Sequence, residues 1–144
     1  MNSFSFWQKW LVAVGGFLAV FGLFLTVFSQ SALMDFIFNR QIDPVFWQAE
    51  ELSHNTKQFQ AWIYGVLGAV IAGWGTSIAF VAQYAFKPRE KWAWNCIASG
   101  VLVWYVADTA ISAFFSVTFN VVFNTITLLL LAIPLGCTRK HFSK

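Results

Sequence analysis

The chain has 144 residues, of which 58% are hydrophobic, 19% aromatic and only 10% charged, and its formal net charge is +3. That composition excludes a disordered polyelectrolyte, and two cysteines cannot make the disulfide framework of a small secreted scaffold. The few charges come in blocks separated by long apolar runs, so the positive balance describes membrane topology and not nucleic-acid binding.

Trp10 to Met34 carries no Asp, Glu, Lys or Arg and predicts a first crossing near residues 8–29. Its apolar run exceeds the h-region of a signal peptide and no A-x-A site follows, so it is expected to stay as a helix. Gly15, Ala19, Gly22 and Thr26 fall on one face of it, with Phe17, Phe21, Phe24 and Phe28 opposite. Residues 30–57 are too long for a turn. Asp43 as N-cap with Pro44 at the first helical position starts a short amphipathic helix there, whose apolar side is Val45, Phe46, Trp47 and Leu52 and which is expected in the membrane interface. Glu50, Glu51 and His54 give a single E-x-x-H, where a di-metal carboxylate bundle needs two and further glutamates; no metal is expected. Asn55 with Gln58 resembles a capping pair.

The second crossing is expected near 58–86, with Gly65, Ala69, Ala72, Thr76 and Ala79 as a small face and Leu67, Val70, Trp74, Ile78 and Val81 opposite. Small residues spaced by three and four let helix backbones approach closely, which drives association where lipid removes the hydrophobic incentive. Lys87, Arg89 and Lys91 mark a short loop, suited to anionic head groups. The third and fourth crossings are expected near 91–115 and 119–138, with a turn close to Ser116 to Thr118. Cys96 and Cys137 read as small packing residues near one membrane level. Trp7, Trp10, Trp92 and Trp94, and at the other level Trp47 and Trp62, suit interfacial belts. Trp74 and Trp104 fall near mid-membrane, where each indole N–H needs an acceptor or a polar cavity.

Each run is long enough for the ~20 residues that a crossing needs, and in lipid a helix satisfies its own backbone. The fold class is therefore all-α: an integral membrane four-helix bundle, one four-pass domain over residues 1–144, with a short helix in the first outer loop. Lys9, Lys87, Arg89, Lys91, Arg139, Lys140 and Lys144 share one side against Arg40 and Lys57 on the other. By the positive-inside rule both termini are cytoplasmic in an inner or plasma membrane. In layout, a four-pass chain with a long first outer loop and an acid in the third helix resembles small DoxX-like membrane proteins, a resemblance of hydropathy plan that implies no function.

Asp108 is the only charged side chain between Trp92 and Thr138. A carboxylate inside a bilayer costs ~2.5–3.5 kcal/mol even on insertion scales, so something must answer it. Trp104, Tyr105 and Ser112 share its side of the third helix; Asn120 and Asn124 form a polar stripe on the fourth, with Asn124 expected at the depth of Asp108, and Tyr64 reaches a similar level on the second. Two uses of this outward-leaning pocket are open: structural glue between helices three and four through Asn124, or a ligand or ion site. No catalytic set, nucleotide motif or cofactor signature is present. The chain reads as a small non-enzymatic membrane protein that acts by lateral contact with another membrane protein, a second copy of itself or lipid. The alternative is a small-molecule or ion-coupled binding or transport protein centred on Asp108.

Overall fold

A computed structural model describes residues 3–47 and 52–142, and among these there is helix and no strand. The long helices are α1 (Ser3–Phe28), α4 (His54–Phe80), α5 (Lys91–Phe114) and α6 (Thr118–Thr138); α4 runs on into a π turn, Val81–Ala85, and α6 into a 3-10 turn, Arg139–His141. Between α1 and α4 lie α2 (Ala32–Met34), a π turn (Asp35–Asn39) and α3 (Arg40–Phe46), which together make one loop helix. The four apolar spans hold 24 to 32 residues. At about 1.5 Å per residue even the shortest exceeds the ~30 Å of hydrocarbon in a bilayer. The molecule is an all-α, membrane-spanning four-helix bundle, and the end that carries the loop helix is called the loop end below.

α1 sits at the centre of the assembly, packed on α4 and on α6; α5 packs on α6, meets the π turn that follows α4, and lays Trp104 against Trp74. The α1–α4 contact runs through backbone. A Cβ added to Gly15 would come 2.6 Å from the Ala79 nitrogen, and one added to Gly75 would come 2.5 Å from the Ala19 nitrogen. Gly22 and Gly68 meet each other's chains in the same way. The seam is thus Gly15, Ala19, Gly22 and Thr26 against Gly68, Ala72, Gly75 and Ala79. Gly65 and Ala69, expected on it, lie to one side: Ala69 is exposed, and a Cβ on Gly65 would have only the Thr26 carbonyl near it, at 3.9 Å. Thr26 holds this end of the seam with its hydroxyl within reach of the Gly22 and Gly65 carbonyls, at 2.9 and 3.1 Å.

Local capping moves two of the expected boundaries. The loop helix starts twelve residues before Asp43, at Ser31, whose hydroxyl accepts from the Met34 N–H at 3.3 Å. Asp43 lies inside α3, where it accepts from Gln60 instead of capping, and Pro44 follows it within that helix. The second crossing is capped by Ser53, which accepts from the Thr56 N–H at 3.2 Å, so Asn55 and Gln58 fall inside α4 and do not start it.

Pro134 stands within α6 and cannot donate to the Leu130 carbonyl. The Trp10 indole of α1 donates to that oxygen at 3.0 Å, so a defect in one helix is answered by its neighbour. Trp94 similarly reaches the Leu135 carbonyl at 2.9 Å. At the end opposite the loop helix, Phe86 and Phe142 are buried edge to face, Phe4 packs on Phe142, and Arg89 and Arg139 lie over the rings of Phe4 and Trp94. Both interhelical turns share one backbone device. Arg89 and Ser116 take left-handed φ of 64° and 61°. The next residue then donates back five, Glu90 to the Ala85 carbonyl and Val117 to the Ser112 carbonyl, which is the Schellman closure of a helix C-terminus.

Candidate functional site

The loop helix folds over its end of the bundle on aromatic anchors. Phe38 packs against Phe21 of α1, Tyr64 of α4 and Phe119 of α6, and Phe46 against Phe115, the residue that follows α5, while Met34 is fully buried. Beneath it lies a cavity of about 260 Å³. Every crossing contributes a wall: Phe21 and Leu25 from α1, Leu67 and Ile71 from α4, Ile111 and Ser112 from α5, Asn120 and Phe123 from α6. Met34, Phe38, Ile42 and Phe46 form the roof. The lining is apolar except at Tyr64, Ser112 and Asn120.

Ser112 and Asn120 connect this cavity to the acid. The Asn120 amide donates to Asp108 Oδ1 at 2.7 Å and lies 2.8 Å from the Ser112 hydroxyl, and that hydroxyl donates to the same Oδ1 at 3.1 Å. Asp108 sits on the face of α5 that carries the buried Ile97, Val101 and Ser112, and is itself partly buried. Both donors are neutral and both act on Oδ1; no described residue donates to Oδ2, and no Lys, Arg or His reaches the carboxyl. The left-handed Ser116 closes the α5–α6 turn tightly enough to bring Asn120, in the first turn of α6, against Ser112, near the end of α5.

The expected pocket residues therefore divide. Asp108, Ser112 and Asn120 meet; Tyr64 stands on another wall of the cavity, its hydroxyl 3.4 Å from Gln60 Nε2. Asn124 is not the partner of Asp108. It is 1% exposed and its amide points to Thr109 Oγ1 at 3.4 Å. Tyr105 pairs with Thr125 at 3.5 Å, and Trp104 lies against the Trp74 ring, centroids 5.1 Å apart; the acceptor expected for each indole N–H is not found among the described residues. The roof was missed, although Ser31 before Leu33, Met34, Phe36, Ile37 and Phe38 was a legible cap.

A larger, more polar cleft of about 930 Å³ lies on the other side of the loop helix, lined by Asp35, Asn39, Arg40, Asp43, His54 and Lys57 among others. Gln60, 8% exposed, borders it and donates to Asp43 Oδ1 at 2.5 Å. Of the E-x-x-H, His54 is exposed in the first turn of α4, whereas Glu50 and Glu51 lie outside the described residues. Cys96 and Cys137 are free and exposed on the bundle surface, not packed within it. No protein-family model, curated protein or solved structure matches this chain.

Proposed function

We propose that this is a non-enzymatic membrane protein that binds a small, mostly apolar molecule, taken from the bilayer, in the cavity under its loop helix. One observation supports this above the others: a cavity walled by all four crossings, apolar throughout but for Tyr64, Ser112 and Asn120. Ligand sites have this make-up, an apolar wall with few placed polar groups. At about 260 Å³ the space falls below the ~300–1,000 Å³ typical of drug-sized ligands, so the occupant is a compact molecule or one segment of a longer chain. Docking on another membrane protein, or on a second copy, has only exposed apolar helix faces in its favour, and lipid covers such faces in any case.

Two supporting features belong to the same reading. The glycine and alanine seam between α1 and α4 serves as small-xxx-small packing, giving the bundle a rigid half against which the cavity is built. The distribution of Lys and Arg supports, by the positive-inside rule, a cell-membrane protein with both termini cytoplasmic and the loop end facing out.

Native mass spectrometry of the full chain released from gentle detergent tests the proposal. Wild type should retain a small apolar adduct, and Ile71→Trp, which fills the cavity, should lose it. If wild type carries no adduct, no added apolar ligand raises its Tm, and Ile71→Trp merely stabilises the fold as a void filler, the proposal fails.

A further inference from the structure

The geometry points to a second binding surface at the end opposite the loop helix: a headgroup site for an anionic phospholipid, anchored by Arg89 and Arg139. It goes beyond the cavity reading and does not depend on it. Three segments far apart in the chain meet there. Phe86, in the turn before α5, is buried against Phe142 at the C-terminal turn, and Phe4 of α1 packs on Phe142 and on His141, centroids 5.9 and 5.0 Å away. This aromatic cluster and its neighbour Trp94 hold two cations in fixed places. Arg89 Cζ lies 5.2 Å from the centre of the Phe4 ring, and Arg139 Cζ 5.6 Å from that of Trp94, whose own indole is tied to the Leu135 carbonyl.

Both arginines are exposed, and no described residue accepts a hydrogen bond from either side chain or pairs with its charge. A ring contact fixes where a guanidinium lies while its N–H fork stays available to an acceptor. Glu90 is the only acid in these three segments, and Lys and Arg outnumber it. Arg89 also stands where the backbone is left-handed, at φ 64°, a conformation that glycine takes without cost. The turn itself asks for glycine; the guanidinium is what an arginine adds there. The second apolar span ends at Ala85 and the fourth runs to His141, so both charges sit at the hydrocarbon edge, the level of lipid head groups. A phosphate diester suits the planar fork of arginine, where lysine offers only a point charge. The acyl chains of the same molecule then lie along the lipid-facing helices, a contact that a soluble anion lacks.

The probes are dioctanoyl phosphatidylglycerol and dioctanoyl phosphatidylcholine, titrated against the full chain in mild non-ionic detergent and read by native mass spectrometry. Ammonium acetate at about 0.3 M screens the diffuse attraction of the other basic residues. Wild type should bind the anionic lipid about tenfold or more tightly than the zwitterionic one, as charge-assisted fork contacts are the stronger kind. Arg89→Gln with Arg139→Gln should abolish that preference. Lys87→Gln with Lys91→Gln removes as much charge from the same end and should keep it to within about threefold. Equal affinity of wild type for the two lipids overturns the proposal, and so does an equal loss from the arginine and lysine pairs. Glycerol 1-phosphate, the head group without chains, should bind far more weakly; binding as tight as that of the lipid overturns the lipid as occupant. Should the arginine pair not fold, each single Arg→Gln variant is read instead, and an undiminished preference in both overturns the anchors.

Discussion

Asp108 was conspicuous in the sequence because a lone charge in a long apolar run has no cheap environment. Its partner was harder to read. Counting residues back from the turn puts Asn124 at the depth of Asp108, and the depth is right: Asn124 meets Thr109, the adjacent residue. Depth along a helix is fixed by its rise, whereas the direction in which a side chain leaves it depends on how two helices are rotated against each other, and a single sequence does not encode that rotation directly. Asn120, one turn nearer the loop end, is the residue that turns toward the acid. Asn120→Leu should therefore destabilise the protein by ~1–3 kcal/mol, because it strips the nearer donor from a partly buried carboxyl, and Asn120→Asp should also be harmful by placing two acids together. Thermal unfolding in detergent gives the order; wild-type stability of Asn120→Leu would show that the contact carries no weight. Ser116 provides a residue-level test of the turn. Its left-handed φ costs an L-residue ~1–2 kcal/mol that glycine does not incur, so Ser116→Gly should raise Tm, and a fall would mean that the serine side chain has a role of its own.

At the scale of elements, the seam of α1 was legible and that of α4 only in part. The second crossing carries small residues on two overlapping stripes, one through Gly65 and Ala69, the other through Gly68 and Gly75, and Ala72 and Ala79 belong to both. Sequence spacing cannot choose between them; backbone approach does. Gly75→Ala would drive its Cβ into the Ala19 nitrogen and the Gly15 carbonyl, at 2.5 and 2.7 Å, where only movement of a whole helix gives relief. It should cost on the order of 1–3 kcal/mol, as overpacking does. Gly65→Ala, with nothing nearer than 3.9 Å, should be neutral or mildly stabilising through helix propensity. Equal Tm values for the two variants would show that the helices are not in contact along this line. The Trp10–Leu130 bond offers a coupled test. Trp10→Phe should leave the Leu130 carbonyl without a donor, whereas in a Pro134→Ala background the helix supplies its own N–H and the same change should cost less. A double-mutant cycle without coupling would mean that the indole does not compensate for the proline.

For the whole molecule, hydropathy and helix length were sufficient to define four crossings, because lipid enforces internal hydrogen bonding and leaves few alternatives. The roof over the cavity could not be read in the same way, since its residues lie in a segment whose neighbours are decided by tertiary packing. Orientation is open to direct test. With Cys96 and Cys137 replaced by Ser, single cysteines at Gln30 and at Lys140, both exposed positions, should react with an impermeant maleimide from outside and from inside respectively. Labelling of the position 140 cysteine on intact cells would invert the topology.

The loop helix is made between the first and second crossings, yet Phe38 and Phe46 come to rest on Phe119 and Phe115, residues synthesised much later. Its packing on Phe21 and Tyr64 needs only α1 and α4, but it is complete only once the α5–α6 hairpin has arrived. Before that, the segment has only part of its contacts, with Phe38 short of Phe119 and Phe46 short of Phe115, while α1 and α4 already have each other. Met34 is fully buried in the finished molecule, so protection of its thioether from mild oxidants should be weaker in a chain truncated before α6 than in the full chain; equal protection would show that α1 and α4 suffice to dock the segment.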